Sequence, residues 1–157
     1  MERSPPQDQL TLTVLYKDEH LIELQCSVIF GEWSGIVSTY ADHDSLGKLA
    51  QMAQKFCENS QDSVSWEIGK DDDDGAGCIR LQLYRIDSAG HVRCHVKLAS
   101  KAYATSPAHR PNEIRRFAIE VPTEPWQITV FSKELAHIAE NLEGQATLMI
   151  NQRDTAE

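Results

Sequence analysis

Nowhere in the chain do about 18 apolar residues run together, so no segment has the length of a membrane-spanning helix. The opening MERSPPQDQL is polar and has no apolar run of the kind a secretory signal carries, and the expected location is the cytoplasm. Equally absent are H-E-x-x-H, G-x-S-x-G and the glycine patterns of phosphate-binding loops and dinucleotide folds. With them go the common routes to metal hydrolysis, serine acyl transfer and nucleotide chemistry, and the sequence assigns no catalytic residue, no resident metal and no cofactor. Cysteine is sparse too: Cys26, Cys57, Cys78 and Cys94 lie far apart, without a C-x-x-C pair. That spacing argues against a zinc knuckle or a disulfide framework. Cys26 and Cys94 fall on the apolar phase of alternating segments and Cys57 on the apolar side of a helical one, so each reads as a small buried thiol in a reducing compartment.

What is present is one domain's worth of chain: 157 residues, 41% hydrophobic and 25% charged. Such a length buries roughly two-thirds of its unfolded surface around one core. The expected domain spans 9–151, with 1–8 and 152–157 as tails. The formal charge of −9 is unevenly distributed. Residues 1–80 hold 15 acidic against 6 basic side chains, whereas 81–157 hold 9 of each. A phosphate backbone is repelled by the first half, so no direct nucleic-acid binding is expected unless Arg110, Arg115 and Arg116 form a separate basic patch. Basic protein partners are instead attracted, because summed charge accelerates encounter.

Alternation of period two marks the strands. In HLIELQCSVIF, the set Ile22, Leu24, Cys26, Val28 and Phe30 alternates with Glu23, Gln25 and Ser27. Leu10, Leu12, Val14 and Tyr16 repeat the pattern, with KDEH as the turn between the two runs. IVSTYA, VSWEIG, CIRLQLYRI, HVRCHVKLAS, IRRFAIEV and a short ATLMI supply further strands. Two stretches change period. Leu46, Leu49, Ala50, Ala53, Phe56 and Cys57 form an apolar helical stripe, capped by Asp42, Asp44 or Ser45. Ile128, Phe131, Leu135, Ile138 and Leu142 form another, opened by Thr123 with Pro125 in the first turn and closed by Gly144, although the β-prone QITVF could delay its start to near Ser132. The expected fold is α+β: an antiparallel sheet of about six or seven strands with two helices packed on one face.

The most unusual segment is SWEIGKDDDDGAGCIRLQL. An EF-hand loop needs glycine at its sixth position and a bidentate acid at its twelfth. Counting from Asp72 puts Gly77 at six but Leu83 at twelve, and counting from Asp71 gives Ala76 and Gln82, so neither register closes a cage. Asp71, Asp72, Asp73 and Asp74 therefore read as a solvated hairpin connection, part of a charged surface. His91 and His95, four apart on one strand, are separated by about 13 Å and cannot share a metal. His43, in DHD, has two flanking carboxylates, which fits helix-start chemistry as well as a general base. Trp33, flanked by glycines in FGEWSG, reads either as an exposed anchor for a partner or as core, whereas Trp66 and Trp126 read as core.

The order of WSGIVSTY, HDSLGKLAQMAQKF, CIRLQL, GHVRCHVKL and TEPWQITVFSKEL, over roughly residues 20–143, resembles the WapI-like immunity proteins of bacterial polymorphic toxin and contact-dependent inhibition systems. The shared features are patterns of apolar residues, so no functional residue carries across. The resemblance implies a cytoplasmic antidote without catalysis of its own, whose partner is a cognate toxin domain, a basic nuclease being one such domain. On that reading the partner-binding candidates are Asp71, Asp72, Asp73, Asp74 and Trp33. Two other classes stay open: a small hydrolase using His43 with neighbouring acids, and an accessory adaptor.

Overall fold

The computed structural model describes residues 7–58, 61–69, 77–101 and 114–151. Eight strands and two helices follow in the order β1 (Gln9–Lys17), β2 (Leu21–Phe30), β3 (Trp33–Asp42), α1 (Ser45–Glu58), β4 (Ser63–Gly69), β5 (Gly77–Arg85), β6 (Val92–Lys101), β7 (Ile114–Thr123), α2 (Pro125–Asn141) and β8 (Gly144–Met149). The strands divide into two four-stranded antiparallel sheets, ordered β3-β2-β1-β8 and β4-β5-β6-β7. The class is α+β as expected, but the single sheet of six or seven strands is replaced by two. Alternation shows which side chains face a core; it carries no information on which sheet a strand joins, and here both sheets face the same core.

That core is built from the inward phases of both sheets: Leu10, Leu12, Ile22, Leu24, Cys26 and Val28 from the first, and Ile79, Leu81, Val92, Cys94 and Val96 from the second, each at most 2% exposed. The helices pack on each other, and α2 also lies against β8 and α1 against β4, so they close one side of the space between the sheets. Trp66 Nε1 donates to Ser45 O at 3.1 Å, tying β4 to the start of α1. Helix α2 starts at Pro125 in spite of its β-prone residues. Its cap is Glu124 and not Thr123: Glu124 N donates to Gln127 Oε1 at 3.0 Å, one half of a capping box. Its end is set by Leu142 in the left-handed region (φ 53), two residues ahead of Gly144.

The opposite side is a seam made by β3. A Cβ on Gly35 would sit 2.8 Å from the Phe117 ring of β7, while Thr39 Oγ1 donates to Gly77 O of β5 at 3.2 Å. From Gly35 to Thr39, β3 thus passes from β7 to β5, running across the strands of the second sheet instead of along them.

Candidate functional site

Trp33 is placed by a tight turn. Phe30 pairs with Trp33 across the β2–β3 ladder, leaving Gly31 and Glu32 as a two-residue loop. Gly31 has φ +60, and Glu32 is not among the residues of positive φ, the pattern of a type II′ hairpin turn. Asp8 fixes the loop from outside, its Oδ1 accepting from Gly31 N at 2.9 Å.

Phase makes Trp33 informative. It shares parity with Val37, Thr39 and Ala41, which point inward and are at most 7% exposed, yet Trp33 itself is 67% exposed. Gly35 already meets Phe117 at the β7 edge, so two residues earlier the strand has run past the end of the second sheet. Phe30 and Ile119, also on inward phases, are half-buried beside it. Together they leave a corner of the core open as a cleft of about 440 Å³ lined by Asp8, Phe30, Gly31, Glu32, Trp33 and Ile119. Two acidic residues, Asp8 and Glu32, thus share the lining of an aromatic hollow. Among the described residues neither has an ion-pair partner.

The rest of β3 extends this surface. Ile36 (63% exposed) and Tyr40 (52%) project from its outer face. Beside them the outward residues Gln25, Ser27, Thr11, Thr13, Gln145 and Thr147 of the first sheet are uncharged, with Glu23 opposite Tyr40. Residues 71–74 lie outside the described residues, but the strand ends that flank them, Gly69 and Gly77, pack on Thr39, about 20 Å from Trp33 along the strand. A standard interface of roughly 800 Å² per partner is wide enough to span Trp33 and those strand ends.

Other candidates take different roles. His43 Nε2 bonds Asp18 O at 2.8 Å, near enough for the ring's charge to help lower the Asp18 carboxyl, and Asp44 pairs with Lys48 at 3.2 Å, so the imidazole ties the β1–β2 turn to the start of α1. His91 Nδ1 meets Asp87 Oδ2 at 2.6 Å within the β5–β6 turn. Among the described residues no three His, Cys, Asp or Glu side chains converge as a metal site. Arg110 lies outside the described residues, while Arg115 and Arg116 are exposed on β7. The outer face of the second sheet sets Arg80 between Glu67 and Lys97 and His95 beside Glu120, with Arg93 and Arg116 on the same phase, a surface of both signs in which cations outnumber acids.

Two readings of single residues are corrected. Trp126 is not core: it is 62% exposed, its Nε1 donating to Glu124 Oε2 at 2.9 Å. It stands two residues before Ile128, about 200° around the helix from the buried stripe, a signal the sequence itself holds. Cys57 is only half-buried, its Sγ 3.6 Å from Pro125 O. Trp66, at 8% exposure, is core. Cys26 and Cys94 are fully buried, and loss of solvent raises both thiols, Cys94 to about 12 and Cys26 further, with Cys94 as a second cause. Compared with known proteins, the chain matches no protein-family model and no curated protein.

Proposed function

We propose that this protein is a non-catalytic binding module of the immunity type, which neutralises a cognate toxin domain by docking it on β3, with Trp33 as the anchor. The observation that carries this reading is the inward-phase tryptophan left 67% exposed over an open corner of the core. A large aromatic held by a two-residue turn loses little freedom on binding, which suits a hot-spot residue. Asp8 and Glu32 at one end of β3, and Asp71–Asp74 joining the strands packed at its other end, favour a basic partner. Attraction of this kind raises the association rate more than the final affinity.

The test begins with purification of the protein from its own cell and identification of the polypeptide that accompanies it. Trp33→Ala is expected to weaken that complex by about 30-fold or more, the effect of losing about 2 kcal/mol at an anchor. Trp126→Ala, which removes an equally exposed tryptophan from α2, should change it less than about 3-fold. Equal effects of the two substitutions, or a catalytic activity in the purified protein that depends on His43, would end this reading in favour of the adaptor or the hydrolase.

A further inference from the structure

The cleft beside Trp33 has a composition that selects among the side chains a partner could insert. Its lining combines the aromatic Phe30 and Trp33 and the aliphatic Ile119 with Gly31 and the acidic Asp8 and Glu32. A purely apolar knob would cover two carboxylates with no cation to compensate them, which costs free energy. A cationic side chain meets both halves of the site. Of the two long cations, arginine fits better. Its planar guanidinium stacks on an indole face, and its five N–H donors can reach two carboxylates at once, whereas a lysine ammonium is compact and holds its water more strongly. At about 440 Å³ the cleft is within the roughly 300–1,000 Å³ range of ligand cavities and has ample room for a long side chain. Asp8 is also preset: Gly31 N holds its Oδ1, and no described residue engages its other oxygen.

We propose that the cleft between the β2–β3 turn and β7 is an arginine-binding site, which receives a guanidinium side chain of the partner between Trp33 and the carboxylates of Asp8 and Glu32. The proposal rests on the docking role of β3 and adds the chemistry of the residue that enters.

The probe is N-acetyl-arginine methylamide, titrated into the isotope-labelled protein at low salt while the Trp33 indole and Ile119 methyl resonances are followed. The neutral isostere N-acetyl-citrulline methylamide and the lysine analogue serve as comparisons. The arginine compound should saturate these resonances at least 10-fold more tightly than citrulline and at least 3-fold more tightly than lysine. Asp8→Asn and Glu32→Gln should each lower its affinity at least 3-fold, and since asparagine retains Oδ1 for Gly31 N, the turn should persist. Equal binding of arginine and citrulline overturns the proposal, as does a Trp33 signal that none of the compounds moves. Equal binding of lysine overturns the choice of arginine. If Trp33→Ala weakens the native complex but citrulline matches arginine, β3 docking survives and the arginine site falls. If arginine is preferred but no polypeptide accompanies the native protein, the site survives and the docking role falls.

Discussion

Replacing Gly69 with alanine tests the seam that positions β3. Gly69 has φ +73, where a side chain costs about 1–2 kcal/mol of local strain. A Cβ there would lie 1.9 Å from Gly77 O, against 3.4 Å for ordinary contact, so the ends of β4 and β5 must separate by about 1.5 Å. That separation carries Gly77 away from Thr39 Oγ1, whose buried 3.2 Å hydrogen bond is worth about 1 kcal/mol. The expected loss is about 2–4 kcal/mol, or roughly 4–16 °C in Tm for a domain of this size. Gly47→Ala is the control. A Cβ at Gly47 meets nothing within 4 Å inside α1, and the same chemical change should there stabilise by about 0.5–1 kcal/mol. Urea denaturation followed by circular dichroism gives both values on one scale. A Gly69→Ala loss below about 0.5 kcal/mol, or a shared sign for the two variants, would refute the close β4–β5 approach and with it the argument for how β3 is held.

Thiol labelling with a disulfide reagent at pH 8 should show one fast cysteine, Cys57, while Cys26 and Cys94, buried and with raised pKa, react only as fast as the protein unfolds. A fast phase that persists in Cys57→Ser would contradict this burial. The turns give a pH dependence. Asp18 is lowered below 3.8, first by the Leu21 and His20 backbone N–H groups that donate to it, and Asp87 first by its bond to the His91 ring. A depressed folded pKa gives stability that is complete above 3.8 and fades as pH falls through the lower folded values. The denaturation midpoint should therefore be level between pH 7 and 5 and fall below pH 4, and Asp18→Asn, which keeps an acceptor oxygen, should reduce that fall; an unchanged slope would count against the Asp18 turn.

How much of this was legible depends on the kind of order each element uses. The alternating set Ile22, Leu24, Cys26 and Val28 and the helical set Leu46, Leu49, Ala50, Ala53 and Phe56 are buried as read, because phase alone decides them. The division into two sheets was not legible: the α1 segment separates β3 from β4, and β8 returns to pair with β1, a contact made by residues more than 130 positions apart, as between Thr11 and Thr147. The start of α2 was half legible. QITVF has strand propensity, but Ile128 and Phe131 also fall on the helical stripe, and the burial of that stripe with the Glu124–Gln127 cap outweighs the local preference. The glycine neighbours of Trp33 made exposure one of two open readings, and the other, core packing, is the one the structure rejects. What made Trp33 exposed, a strand outrunning the sheet it packs on, exists only in three dimensions.

That origin separates binding from folding. A side chain exposed by turn chemistry alone could be removed without consequence, whereas one on an inward phase is ordinarily expected to support the core. Trp33 is on the inward phase and already two-thirds solvated, so most of its apolar area contributes nothing to the isolated fold. Truncation should leave the stability of the free protein within about 1 kcal/mol of the parent while removing the surface that a partner covers. Next to it the Phe117 ring of β7 already packs closely on Gly35. A partner that fills the corner would bury Trp33, Phe30 and Ile119 together, completing from outside the apolar contact that the end of the second sheet leaves unfinished.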